Sequence, residues 1–131
     1  MLKKTITYTD YNGVERTEDF YFNLNRAEIT QMELSVDGGY SALIDRLTKS
    51  IEPKELMNIF KKIILDSYGE KTLDGKRFMK KDENGVPLSK KFEETEAFVI
   101  LYMELAQDDE KAAQFINSVF PKKVLDKKET N

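Results

Sequence analysis

The side chains most often recruited for catalysis are the ones this sequence lacks: it contains neither histidine nor cysteine. Their loss removes the Ser-His and Cys-His nucleophile pairs, the common zinc ligand sets and the one side chain that titrates near neutrality unaided. Carboxylates, lysines, tyrosines and backbone remain. Asp108-Asp109-Glu110 sets three oxygen ligands in succession, the type that Mg²⁺ or Ca²⁺ prefers, but no spaced ligand set accompanies them. Helix capping and a favourable dipole interaction explain the same triplet. Glu93, Glu94, Glu96 and Glu104 offer carboxylate pairs without specifying any, and they read as a solvated helix face. No catalytic, metal-binding or organic-cofactor site is expected.

The second cluster is cationic. Lys76, Arg77, Lys80 and Lys81 surround Phe78 and Met79. An aromatic within a basic run suits three roles: a solvated loop anchored by Phe78, a surface that docks on an acidic helix of the same or a neighbouring chain, or a nucleic-acid contact. Charge is segregated nearby. Residues 70–91 hold seven basic and four acidic side chains, whereas 92–110 hold seven acidic and no basic ones. The chain as a whole carries only -3, so no global basic field recruits nucleic acid.

A chain of 131 residues fits one domain able to bury a core without disulfides or metals. The start, Met1 to Thr5, lacks the apolar run of a signal peptide, and no window suffices to span a bilayer, so a soluble, unexported protein without a membrane partner is expected. Residues 2–8 and 14–22, rich in Thr, Tyr, Phe, Ile and Val, flank Asp10-Tyr11-Asn12-Gly13 and predict a β-hairpin. A two-residue turn would pair Ile6 with Asp19 and split the apolar residues between faces. A type I turn with Gly13 left-handed pairs Asp10 with Val14 and sets Leu2, Ile6 and Tyr8 on one face with Val14, Phe20 and Phe22, which is the register expected.

Asn25 and Glu28 form a capping box, with Leu24 placed to staple onto Ile29, so a helix starts there and ends before Gly38-Gly39. A short helix carrying Tyr40, Leu43, Ile44 and Leu47 follows. Pro53 sits at the first position of another, whose stripe is Leu56, Ile59, Phe60, Ile63 and Ile64 and whose stop is Gly69. Residues 70–88, with Asp74-Gly75 and Asn84-Gly85-Val86-Pro87, read as a long mobile connection. Ser89 caps the next helix, with Phe92, Val99, Tyr102, Met103 and Ala106 on one face and Phe98, Leu101 and Leu105 widening it. So broad a face suggests burial on two sides. Asp108 caps a last helix bearing Ala112, Phe115, Ile116 and Val119, ended by Pro121. The fold expected is mostly α within the α+β class: an N-terminal hairpin on about five short helices over residues 1–121, with a frayed polar tail at 122–131. No internal repeat is apparent.

From Ser67 onward the residue order resembles the tail assembly chaperones of long-tailed phages and prophages of Gram-positive bacteria. The likeness runs through Tyr68-Gly69-Glu70-Lys71, Asp74-Gly75-Lys76-Arg77-Phe78, Phe92, Thr95-Glu96-Ala97-Phe98, Tyr102-Met103-Glu104-Leu105, Asp108, Ala112-Ala113, Phe115-Ile116 and Pro121. Thr72 stands where Ser is expected and Phe98 where Tyr is usual, and 82–87 looks like an insertion. The resemblance implies a non-enzymatic factor that coats the tape measure protein, keeps that hydrophobic helical chain soluble, and promotes tail tube protein assembly around it in the host cytoplasm before leaving the particle. Such proteins often come in a short and a frameshifted longer form. Self-association is expected, with Lys76, Arg77, Phe78, Lys80, Lys81, Phe98, Leu101, Tyr102 and Leu105 as candidate protein-binding residues. A connector or tail terminator retained in the virion is the competing structural role. A DNA-binding prophage regulator is disfavoured, because no compact helix-turn-helix has a basic second helix.

Overall fold

In the computed structural model, which describes residues 1–35 and 53–120, the elements run β1 (Leu2–Thr9), β2 (Glu15–Phe22), α1 (Arg26–Ser35), α2 (Pro53–Ser67), β3 (Tyr68–Lys71), β4 (Phe78–Met79), α3 (Ser89–Glu93), α4 (Glu96–Gln107) and α5 (Asp109–Val119). This is the α+β class expected from the sequence. The Gly38-Gly39 joint, the helix assigned to Tyr40–Leu47, Pro121 and the polar tail lie outside the described residues.

The hairpin adopts the apolar-in register. Leu2 faces Phe22 and Ile6 faces Glu18, with Gly13 at φ 81° turning the chain. Asp10 Oδ1 accepts from the Asn12 and Val14 amides at 2.9 and 3.0 Å, which fixes the turn by bonds within the turn itself. Ile6 and Phe22 are buried, while Val14, expected on the same face, is exposed because the turn carries it past the core. The capping box is closed as expected: Asn25 Oδ1 accepts from the Glu28 amide at 2.8 Å and Glu28 Oε1 from the Asn25 amide at 3.0 Å. Leu24 and Ile29 are both buried.

Three expectations change. Gly69 does not stop α2; the helix ends at Ser67 and the chain passes at once into β3, where Tyr21 pairs with Gly69 and Phe22 with Tyr68. Glycine is needed there for space, since a Cβ would lie 2.6 Å from the Phe78 ring and 2.7 Å from the Met79 carbonyl oxygen. Residues 70–88 are not a loose connection. They fold back as β3 and β4, complete a four-stranded antiparallel sheet in sequence order, and close a second turn through the bridge between Lys81 and Pro87. That turn repeats the first: Asp82-Glu83-Asn84-Gly85-Val86 matches Asp10-Tyr11-Asn12-Gly13-Val14 in Asp, Asn, Gly and Val. Its bonds match too, from the Asn84 and Val86 amides to Asp82 Oδ1 at 2.8 and 2.9 Å, with Gly85 at φ 79°. The apparent insertion is thus a self-contained turn.

Third, no single helix runs from Ser89. The chain breaks at Glu94–Thr95, Ser89 is the first residue of α3 and not its cap, and Thr95 Oγ1 caps α4 by accepting from the Phe98 amide at 3.2 Å. The break rotates α4, so Ala97, Phe98, Leu101 and Leu105 are buried, while Val99 and Met103, expected in the core, face outward. Asp108 caps α5 as expected, Oδ1 accepting from the Glu110 and Lys111 amides at 3.0 and 3.1 Å.

An aromatic cluster joins the parts. Phe92 stacks on Tyr68 at 4.2 Å between ring centres and meets Phe20, Phe22 and Phe98 at 5.3 to 5.8 Å, and Phe22 reaches Phe115 at 5.3 Å. Burial, with the nearby Glu70 carboxylate second, pushes the Tyr68 hydroxyl up to about 12. Because the unfolded phenol ionises near 10, the stability this group contributes is present below pH 10 and lost as pH rises towards 12. Titrating phenolate absorbance of wild type against Tyr68→Phe should show one tyrosine near 12 that the variant lacks. Gly69→Ala should lower stability by about 1–3 kcal/mol through the contact with Phe78 and the Met79 carbonyl, measured by urea unfolding.

Candidate partner-binding surface

The six-residue basic segment is divided by its hairpin into residues with different jobs. Thr72 and Asp74 build the tip: Thr72 Oγ1 donates to Asp74 Oδ1 at 2.7 Å and accepts from the Arg77 amide at 3.1 Å. The tip leaves Lys76 and Arg77 exposed. Phe78 is half-buried against Gly69, the anchoring role expected of it. Lys81 is exposed beside the second turn. Lys80 is drawn inside, where its Nζ donates to the Asp66 carbonyl at 2.7 Å, the Asn23 carbonyl at 2.8 Å and Glu28 Oε2 at 2.8 Å. One ammonium therefore ties β4 to the C-terminal end of α2, the approach to α1 and the capping-box glutamate. Its three donors are spent within the chain.

Docking of the basic segment on the acidic helix of the same chain is not seen: among the described residues no ion pair joins 76–81 to 92–106. Lys61 reaches Glu93 at 2.7 Å, and Lys4 and Lys111 reach Glu104 at 3.2 and 3.5 Å. Desolvation and the adjacent Glu96 carboxylate raise the Tyr11 pKa, so Glu96 lies against the hairpin turn. The glutamates taken as a solvated face are in large part bracing α3 and α4 against β1 and α2.

The candidate binding residues of α4 separate in the same way. Phe98, Leu101 and Leu105 are at most 8% exposed and belong to the core, with Tyr102 half-buried against Phe98 at 5.7 Å. What α4 offers outward is Val99, Ile100 and Met103, which are 42%, 39% and 44% exposed. They follow one another at helical spacing on the side opposite Leu101, a short apolar face that no described part of the chain covers. Sequence reasoning placed two of these three in the core because it carried one helical phase across Thr95. The signal that locates the break is Thr95 followed by Glu96, a cap residue before an acidic first turn.

An open groove of about 790 Å³ lies between the tip and the second turn and is lined by Glu70, Arg77, Phe78, Met79, Lys81 and Glu83 among others. Its charges are mixed, carboxylates standing beside cations. Among the described residues no group of three Asp or Glu is placed to hold a metal ion, and no helix is long and apolar enough to cross a membrane.

Comparison with protein families gives a match over residues 1–131 to the model described as phage tail assembly chaperone. The chain belongs to that family. Searches of curated proteins and of solved structures return no match. As a tail assembly chaperone it acts in building phage tails. Its partners are accordingly phage tail proteins.

For this chaperone, Lys80→Met should cost about 2–3 kcal/mol, because two carbonyls and a carboxylate lose a charged donor. Lys76→Met at the solvated tip should stay within about 0.5 kcal/mol of wild type. Chemical denaturation of both variants tests the division of labour within the basic segment.

Proposed function

We propose that this chaperone binds the tape measure protein of a long-tailed phage of Gram-positive bacteria, keeps it soluble in the host cytoplasm, promotes tail tube protein assembly around it, and leaves before the virion is complete. The family match across the whole chain carries this reading. Val99, Ile100 and Met103 support it, since a partner that must be shielded from water is met most economically by apolar surface on a rigid helix. Rigidity comes from beneath: Leu101 and Leu105 lock α4 into the core, so docking on its outer side need not disturb the fold. Lys76, Arg77 and Lys81, exposed on one edge of the molecule, add cationic surface that would meet acidic stretches of the partner and speed encounter.

Co-expression tests the proposal. Tape measure fragments that are insoluble alone should become soluble with this chain and should not with Val99→Ser/Ile100→Ser/Met103→Ser, whose melting temperature should match wild type because the replaced side chains face water. Affinity for a solubilised fragment should fall by about tenfold or more, the equivalent of 1.4 kcal/mol. Fragments that stay insoluble with wild type, or stoichiometric amounts of the protein in purified virions, would transfer the chain to the structural role of a connector or terminator.

A further inference from the structure

Among the described residues, strand β1 forms one edge of the sheet and is paired only with β2. The Asp10 amide donates to the Val14 carbonyl at 2.8 Å, so by antiparallel alternation the even residues of β1 exchange hydrogen bonds with β2 and the odd ones, Lys3, Thr5, Thr7 and Thr9, direct their amides and carbonyls outward. Nothing described bonds to that outer row. Edges of this length are ordinarily guarded by proline, a bulge or repeated charge. Here the pairing is uninterrupted over eight residues, and from Thr5 to Thr9 there is no proline and no charged side chain.

The same strand is complementary to itself. Set antiparallel to a second copy with Ile6 opposite Ile6, all four outward residues meet one another, Lys3 with Thr9 and Thr5 with Thr7, in the positions that exchange hydrogen bonds. On the inner side Lys4 meets Tyr8 and the two isoleucines meet across the axis. No lysine opposes a lysine, because the two at each strand's start lie at opposite ends of the joint. A register centred on Thr5 leaves Thr9 facing Met1, beyond the strand, and is the poorer fit. We infer that two copies of this chain associate through β1 about a two-fold axis with Ile6 opposite Ile6, joining their sheets into one of eight strands.

The inference rests on the sheet alone and not on the tape measure reading. Sedimentation of the full chain over a concentration series should show a monomer-dimer equilibrium. Hydrogen exchange should protect the Thr5 and Thr7 amides in the dimer but not on dilution, while Ile6 stays protected throughout. Thr7→Pro, which deletes an outward donor unused in the monomer, and Thr5→Lys/Thr7→Lys, which sets cations opposite one another twice, should each weaken the dimer at least tenfold with circular dichroism unchanged. A wild type that stays monomeric, or a dimer whose Thr5 and Thr7 amides exchange freely, overturns the inference. A monomer that still solubilises tape measure fragments would overturn it while leaving that reading intact.

Discussion

Phe92 is the side chain without which the separate pieces of this chain would have no common core. Its ring lies on Tyr68 at 4.2 Å with planes 6° apart, and it touches Phe20 and Phe22 of β2 and Phe98 of α4. The sheet contributes three of those rings, so the short α3 acts as the wedge that fixes the sheet against the helices. Its position constrains the sequence on both sides. Ser67 must end a helix and Tyr68 begin a strand with no linker, and Thr95 must restart the helix immediately after the wedge. An aromatic assembly of this kind is worth more than its area, because edge and face contacts fix the relative orientation of whole elements.

That constraint explains which parts of the fold the sequence discloses. Elements defined by local chemistry are readable: the hairpin register from the left-handed glycine, α1 from the reciprocal Asn25 and Glu28 bonds, α5 from Asp108, the stripe of α2 from its spacing. Elements defined by distant partners are not. β3 and β4 hold only two pairs each with their neighbours, and what holds them in place, Phe22 and Phe92 against Tyr68 and the Lys80 ammonium on Asn23 and Glu28, joins residues distant in sequence. The repeated Asp-x-Asn-Gly-Val turn is legible in principle, since a match at four of five positions marks 82–86 as a hairpin turn.

The surface follows the same logic. A broad apolar α4 implies two partners, and the chain supplies one of them through Leu101 and Leu105, while no described residue covers the opposite side. Which side is which depends on helical phase, and the phase is set by the break at Thr95. Basic character was misleading for a related reason. Six residues of similar composition divide between solvent and interior because a strand alternates its side chains, and Lys80 falls on the inner side where three acceptors converge.

The Lys80 contacts also bear on the order in which the chain can fold. Asp66 lies 14 residues away in sequence, but Glu28 and Asn23 lie 52 and 57 residues away. The capping box can nucleate α1 early, because its bonds span only three residues. The second oxygen of Glu28, however, gains its partner only after the chain from α2 to β4 has been placed, when the loop-closure entropy of that long segment has already been met. A contact closed across so long a segment is of the kind that forms late, and such contacts bear on the rate of unfolding more than on the rate of folding.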